Sequence, residues 1–175
     1  MLNKPQGYLT AVSSAEGYKT VMDLVEAESA RRKHIYPVGR LDLMSEGLLL
    51  LTNDGDFSYK ITHPKFNIVK SYIVNIKGEF SEDLFKRIKK GVSVEGAGLL
   101  KAKDIKIAGK NPGKFQLLIG LSHGKNREIR RLLEFFNLKV ISLKRIRIGG
   151  LELGDLPSGH YRILTKRTAD LAFKQ

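Results

Sequence analysis

Cysteine is absent from the 175 residues of this sequence, which excludes a disulfide framework and a thiolate zinc site. The four histidines, His34, His63, His123 and His160, are scattered without the spacing of metal ligands. The longest apolar stretches are far too short to cross a bilayer, and the amino terminus has no signal-peptide core. Together these absences predict a soluble, cytoplasmic protein that binds no metal.

Acidic side chains are scarce relative to basic ones, with 18 Asp and Glu against 31 Lys and Arg and a formal net charge of +13. This excess predicts an anionic partner, most simply nucleic acid. An anionic membrane is the alternative, but neither a basic amphipathic helix nor an apolar span is evident. Residues 123–147 alone hold eight basic residues against two acids, so the positive potential belongs mainly to the second half.

Apolar alternation and short apolar runs predict strands at 2–4, 35–38, 48–51, 68–76, 101–107, 115–121 and 140–148. Helices are predicted after the capping residues Thr20, Asp54, Ser81 and Thr165, and over 126–136. Because strands are numerous and often consecutive, we expect an α+β fold with a mixed, largely antiparallel central sheet flanked by helices. The length suits one domain, 1–175, built of two packed halves at about 1–64 and 65–175.

The tetrapeptide from Gly39 to Asp42 places a carboxylate two residues after Arg40, between an extended segment and four leucines. Residues two apart in an extended backbone share a face, so Arg40 can hold Asp42 ionised. An ionised aspartate can act as a nucleophile or a base. The alternative is a structural ion pair that braces a turn, and the tetrapeptide alone does not decide between them.

Longer motifs around this tetrapeptide carry a family resemblance. Residues 39–55, GRLDLMSEGLLLLTNDG, resemble a motif of the bacterial ribosomal RNA pseudouridine synthases, in the RsuA/RluB/RluE/RluF branch. Other segments resemble the same family in the same order: LNKPQGY at 2–8, KSY at 70–72, GKNREIRR at 124–131, LKRIRIG at 143–149 and LGDLPSG at 153–159. Each motif alone is weak, but the set is highly specific and spans nearly the whole chain.

The resemblance implies the pseudouridine synthase catalytic fold, with an active-site cleft across the sheet. It implies isomerisation of uridine to pseudouridine in RNA: the N1–C1′ bond breaks, the uracil turns over, and C5 bonds to C1′. It also implies that Asp42 is the catalytic aspartate, which either attacks C1′ or takes a ribose proton to give a glycal. No metal or organic cofactor is implied.

Two further catalytic residues follow from the resemblance. Tyr72 matches the active-site tyrosine, whose ring can stack on the detached uracil and whose hydroxyl can assist proton removal from C5. An ordinary half-buried strand tyrosine is the alternative. Arg130 matches the arginine that pairs with the catalytic aspartate, and it lies on a different helical stripe from Ile129 and Leu133. Its alternative is a solvated helix arginine.

Several polar and basic residues are candidates for substrate or RNA binding: Arg40, Lys70, Lys4, Lys125, Asn126, Arg127, Arg131, Lys144 and Arg145. Those at 125–127 begin the predicted helix, where free backbone N–H groups favour phosphate. Any one of these basic residues is equally well explained as a solvated surface charge, but their clustering strengthens the interpretation. Glu128 stands where many relatives have glutamine, and its role is open.

The expected partner is ribosomal RNA, and the motif wording favours the 23S RNA of the large subunit. The target uridine must flip out of its stack, which costs a few kcal/mol. We expect a monomer that lacks the small S4 RNA-binding domain of most relatives. Two rival functions remain: a non-catalytic RNA-binding or ribosome-assembly module, and a nucleoside glycosidase. The second usually needs another acid and base pair, which the sequence does not offer.

Overall fold

The computed structural model describes residues 1–25, 34–79, 81–111 and 114–174. Its strands, in chain order, are β1 Leu2–Lys4, β2 Tyr36–Val38, β3 Glu46–Thr52, β4 Lys70–Lys77, β5 Val92–Val94, β6 Gly98–Leu100, β7 Asp104–Asn111, β8 Lys114–Leu121, β9 Lys139–Ile148 and β10 Leu151–Glu152. Its α-helices are α1 Gly55–Thr62, α2 Glu82–Lys90, α3 Glu128–Glu134 and α4 Lys166–Ala169. Short 3₁₀ helices occupy Val21–Leu24, Pro64–Phe66 and Asp170–Phe173.

The predicted fold class is confirmed: the chain is α+β, with a large, mostly antiparallel sheet and few helices. None of the helices in the described ranges is long and apolar enough to span a membrane. The predicted elements differ from the observed ones at β7, which lies at Asp104–Asn111 instead of 101–107, at β5 and β6, which were not predicted, and at α3, which spans Glu128–Glu134 instead of 126–136. Arg127 adopts a left-handed backbone, with φ of 50°, and this conformation prevents the helix from extending towards the amino terminus.

The chain divides into two compact units, but not at the predicted positions. The first unit contains residues 1–68 and 145–175, and the second contains residues 69–144. The predicted second half, 65–175, is therefore incorrect at its carboxyl end. Residues 145–175 join the first unit because Arg145 hydrogen-bonds to Leu48 and Ala172 is buried in the same core.

In the first unit, β3 pairs antiparallel with β1 through residues 47–49 and with β2 through residues 50–52, while β10 pairs with the end of β9. The leucine run of β3 packs in the core, where Leu48 and Leu50 meet Ile148 and Ala172. This burial confirms the strand predicted from the apolar run. At Gly47 (φ of 104°), an added Cβ would overlap the backbone carbonyl of Arg145, so glycine is required for this close approach.

The predicted capping residues are confirmed. Asp54 accepts a hydrogen bond from the Phe57 backbone at 2.9 Å and begins α1. Ser81 begins α2 and Thr165 begins α4 in the same way. Thr20 caps a 3₁₀ helix of four residues instead of the expected α-helix, and residues 26–33 lie outside the described part of the chain.

In the second unit, β4 pairs antiparallel with β8 from Lys70 to Lys77, and β8 pairs with β7. Along β4 the side chains of Tyr72, Val74 and Ile76, which the alternating pattern placed on one face, are buried. β5 and β6 form a separate two-stranded sheet. The helices α2 and α3 complete this unit, with Ile88 and Leu132 buried.

Candidate active site

Asp42 lies in the loop that joins β2 to β3 in the first unit, and its side chain is half-buried. The loop begins at Gly39, whose φ of 69° turns the chain, and is anchored by the buried side chain of Leu41. The Ser45 backbone N–H donates to the Asp42 carbonyl at 2.9 Å, closing a turn after the aspartate. The carboxylate therefore projects from a loop of defined backbone conformation.

Hydrogen bonds from the side chain of Lys4 fix the backbone of this loop. Its Nζ donates to the carbonyl oxygens of Ser45 at 2.8 Å, Pro5 at 3.0 Å, Asp42 at 3.2 Å and Leu43 at 3.3 Å. The side chain is 0% exposed, so it does not reach an RNA phosphate. The predicted RNA contact of Lys4 is thus corrected to a structural role, since its donors are used within the protein.

The ammonium group of Lys4 is also electrostatically linked to the loop. Burial lowers the pKa of Lys4 from 10.5 to about 8, while the carboxylates of Asp42 and Glu46 act in the opposite direction. At neutral pH, which is below this pKa, Lys4 keeps the proton that its hydrogen bonds require. Lys4 thus places a positive charge next to the backbone carbonyls of the Asp42 loop.

Thr10 is a second support of the loop that the sequence did not reveal. Its Oγ1 donates to the Leu41 carbonyl at 2.7 Å and accepts from the Leu41 N–H at 3.2 Å. Gly7 adds a backbone hydrogen bond to the Leu43 carbonyl at 2.9 Å. Thr10 lies outside the recognised motifs, in an irregular segment, so no pattern connected it with the distant residue Leu41.

Arg40 is exposed and forms no ion pair with any residue in the described ranges. The structural ion pair between Arg40 and Asp42, considered above as an alternative, is therefore wrong. The segment between β2 and β3 is irregular, so the rule that residues two apart share a face of a strand does not apply to it. Arg40 is left available at the surface.

Arg145 is 4% exposed, and its Nε donates to the Leu48 carbonyl at 2.7 Å. This guanidinium braces β3 from inside the first unit, so its predicted contact with RNA is also corrected. Sequence alone could not distinguish it from Arg147, which lies two residues further along β9 and is exposed. The burial arises because Gly47 lets β3 approach the backbone of Arg145 closely.

Two predicted residues of the second unit lie on β4. Tyr72 is 9% exposed and faces Ile119 of β8, while half-buried Lys70 faces Leu121. Two positions apart in a regular strand, they share a face as expected. The burial of Tyr72 leaves little of its side chain in contact with solvent.

The three residues of the predicted phosphate site at 125–127 are exposed, and two of them also have partners within the protein. Lys125 uses its Nζ to donate to the carbonyls of Ala97 at 3.1 Å and Leu99 at 2.8 Å. Arg127 forms an exposed ion pair with Glu134 at 3.8 Å. Asn126 is exposed, so of the residues at 125–127 it is the one whose side chain is least engaged within the protein.

Arg130 is buried, at 9% exposure, on α3 among the buried apolar residues Ile129, Leu132 and Leu133. The alternative of a solvated helix arginine is therefore wrong. Arg131 and Lys144 are half-buried. Asp42 belongs to the first unit, whereas Tyr72 and Arg130 belong to the second.

Glu128 has a local role that the sequence left open. Its Oε2 accepts a hydrogen bond from the Lys125 backbone N–H at 3.0 Å, and its own N–H donates to the Lys125 carbonyl at 3.2 Å. The residue is 4% exposed, and burial raises the pKa of its carboxyl group, against the opposing effects of this hydrogen bond and of His123 and Lys125. Glu128 thus fixes the chain that enters α3.

We expect Glu128→Gln to stabilise the protein at pH 7. The amide oxygen can still accept the Lys125 N–H, and the cost of burying a charge disappears. Because the folded pKa is raised, the native state binds more protons than the unfolded state above pH 4.5, so stability falls as pH rises there. Denaturant unfolding should show an advantage of the Glu128→Gln variant over the native protein that vanishes below about pH 4.5.

Equal stability of the two proteins at pH 7 would show that the carboxylate is not penalised by its surroundings. Glu134→Gln is the matched control, because Glu134 is an exposed glutamate on the same helix. We expect it to change the free energy of unfolding by no more than about 0.5 kcal/mol.

Comparison with known proteins agrees with this arrangement. The family model described as RNA pseudouridylate synthase matches residues 1–135. An RNA pseudouridine synthase of Aquifex aeolicus is 39% identical over 99% of this chain and 69% of its own length. The ribosomal large subunit pseudouridine synthase B of Bacillus subtilis is 38% identical over 94% of this chain and 67% of its own length.

A solved structure supports the same relationship. A crystal structure of a pseudouridylate synthase superposes with a TM-score of 0.86 at 28% identity, covering 98% of this chain and 71% of that one. The chain thus spans about two thirds of the length of these relatives. The family match covers the loop of Asp42, the strand of Tyr72 and the helix of Arg130. The chain therefore belongs to the RNA pseudouridine synthase family and is an enzyme that isomerises uridine to pseudouridine in RNA.

Proposed function

We propose that this enzyme forms pseudouridine at a specific uridine of ribosomal RNA, in the 23S RNA of the large subunit, with Asp42 as its catalytic group. The observation that carries the proposal is the set of hydrogen bonds from Lys4 and Thr10 to the Asp42 loop. Catalysis by a carboxylate requires such positioning, since small displacements of a reacting group are costly. The similarity to the large-subunit synthase of Bacillus subtilis supports the choice of 23S RNA.

Two routes lead from Asp42 to the product. In the first, the carboxylate attacks C1′, the N1–C1′ bond breaks, and the turned uracil displaces Asp42 through C5. In the second, the carboxylate removes the C2′ proton, the N1–C1′ bond breaks to give a glycal, and C5 adds to C1′ as the proton returns. Both end when C5 loses its proton and N1 gains one, so the reaction is balanced without oxidant, reductant or cofactor.

Tyr72 and Arg130 complete the proposed chemistry. Arg130 is the ionic partner of Asp42, and Tyr72 stacks on the detached uracil while its hydroxyl assists proton removal from C5. The support is that both residues are only 9% exposed. A buried guanidinium is far better suited to this role than a solvated one.

The remaining exposed or half-buried candidates are proposed as RNA contacts: Arg40, Lys70, Lys125, Asn126, Arg127, Arg131 and Lys144. Phosphate contacts of this kind hold the strand on either side of the target and offset the few kcal/mol needed to flip a uridine. We further propose that the enzyme acts in the cytoplasm as a monomer. The two rival functions, a binding module and a nucleoside glycosidase, are excluded by the family membership.

Mapping of pseudouridines tests this proposal. Ribosomal RNA from cells with and without the gene should differ at one uridine of 23S RNA, and the purified enzyme should restore that site in RNA from the deletion strain. The 16S RNA of the same cells serves as the internal control and should be unchanged. A lost site in 16S RNA, with 23S RNA unaltered, would contradict the assignment to the large subunit.

A further inference from the structure

The outward face of the sheet in the second unit carries a polar and cationic patch that the proposed chemistry does not use. Its residues lie on three strands and alternate along β4 and β8 with buried apolar side chains, so they face away from Tyr72. We define this outer patch as Asn75, Lys77, Lys114, Gln116 and Ser142.

A ladder of amide hydrogen bonds orders the centre of the outer patch. Gln116 Nε2 donates to Asn75 Oδ1 at 3.1 Å, and Asn75 Nδ2 donates to Ser142 Oγ at 2.7 Å. The ladder uses one N–H of each amide. In the ranges that the structure describes, the second N–H of each amide and the Oε1 of Gln116 have no protein partner. The ladder therefore presents fixed donors and an acceptor to solvent.

A shallow depression of about 410 Å³ lies beside this ladder, and Asn75, Gln116 and Lys114 contribute to its lining. Gly109 of β7 faces Gln116 across the strands at an irregularity of the register. Because glycine has no side chain, space remains next to the Gln116 amide. Oriented amides beside an open space can match the hydrogen-bonding edge of an unpaired nucleobase.

Lys77 and Lys114 give the outer patch its charge. They are register partners on β4 and β8, so two exposed lysines occupy directly opposite positions of neighbouring strands. Like charges in this arrangement destabilise a strand pair. No ion pair with an acid compensates either lysine in the described part of the chain. A bound anion between them would remove this repulsion.

We propose that the outer patch is a second RNA-contact surface. A phosphodiester group binds between Lys77 and Lys114, and an unpaired base presents its polar edge to Gln116 and Asn75. This inference rests on RNA being the substrate of the enzyme. Charge complementarity favours RNA over a second copy of the chain, since pairing two outer patches would bring four lysines together.

The test measures binding of a 23S RNA fragment in the Asp42→Asn background, where no product forms. Lys77→Gln combined with Lys114→Gln should raise the Kd roughly tenfold at about 0.15 M salt, and the loss of one phosphate contact should reduce the slope of log K against log salt by about 0.7–0.9. The matched control replaces Lys86 and Lys89, two exposed lysines of α2, by glutamine. It removes the same charge and should change the Kd less than about twofold.

The melting temperature of the patch variant shows whether weaker binding is due to misfolding. It should not fall, because the two substitutions remove a like-charge pair. Gln116→Leu is the second variant: it should weaken binding while leaving the salt slope unchanged, since no phosphate contact is lost. Equal Kd values for the patch and control variants would overturn the inference. The inference would also be overturned if the native protein dimerised with increasing concentration and the patch variant lost this dimerisation while its RNA affinity stayed the same. That result would assign the outer patch to contact with a second copy of the chain.

Failure of this inference is distinguishable from failure of the proposed function. Pseudouridine formation by the native enzyme on the 23S fragment is measured in parallel with binding. If product forms but the patch variant binds like the control, the outer patch is refuted and the proposed function stands. If the native enzyme modifies only 16S RNA, the proposed target is refuted, and the patch is tested on that RNA.

Discussion

Asp42→Asn is expected to lower the rate of pseudouridine formation roughly a thousandfold or more while the protein folds and binds RNA as before. Asparagine has the shape of aspartate but neither a nucleophilic oxygen nor a basic one, so both proposed routes are blocked. The Lys4 and Thr10 hydrogen bonds go to backbone atoms and remain. Single-turnover formation of pseudouridine, with the Kd for the same RNA, measures the effect.

Asp56→Asn is the matched control, because Asp56 is an exposed aspartate of the same unit at the start of α1. It removes one negative charge as Asp42→Asn does, and we expect full activity. The assignment of Asp42 fails if the Asp42→Asn protein retains more than about a tenth of the native rate. A rate loss that merely follows a loss of RNA binding would also count against it.

Lys4→Met is expected to destabilise the protein by about 3 kcal/mol, because buried carbonyl oxygens lose their donor. The four carbonyls that accept from Lys4 lie in or beside the Asp42 loop. For a chain of this size, that loss lowers the melting temperature by roughly 6–12 °C. The variant also no longer buries a charge, and this offsets part of the expected loss in the free energy of unfolding.

Activity should fall further than stability in this variant. At a temperature where the Lys4→Met protein is fully folded, we expect a lower kcat, because the Asp42 backbone is no longer held in one position. Lys60→Met, at an exposed lysine of α1, should change the free energy of unfolding by less than about 0.5 kcal/mol and leave kcat unchanged. Native stability of the Lys4→Met protein would show that the hydrogen bonds from Lys4 contribute nothing.

Much of the local structure followed from short-range chemistry. Asp54, Ser81 and Thr165 cap helices because their side chains reach N–H groups two or three residues away, and this depends on sequence neighbours only. The alternation along residues 68–76 predicted the strand β4, since a strand places every second residue on one face. The family was also predicted correctly from its motifs, and the comparisons confirm it.

The errors arose where a charge was assigned to the surface without knowledge of its neighbours. Lys4 and Arg145 were predicted to bind RNA, yet both donate to backbone carbonyls inside the first unit. A sequence shows that a residue is cationic, but not whether it meets solvent or a carbonyl from a distant segment. The helix at 126–136 was drawn too long because a left-handed Arg127 has no compositional signal.

The sequence by itself determined the fold class, the family and the reaction, and it singled out Asp42 as the proposed catalytic group, because these depend on motifs and on patterns between near neighbours. Only the tertiary structure decided how the Asp42 loop is held, which cations are buried, and that residues 145–175 return to the first unit. The physical reason is that these features are contacts between residues far apart in the chain. Such contacts exist only once the strands have paired and the backbone carbonyls have found their donors.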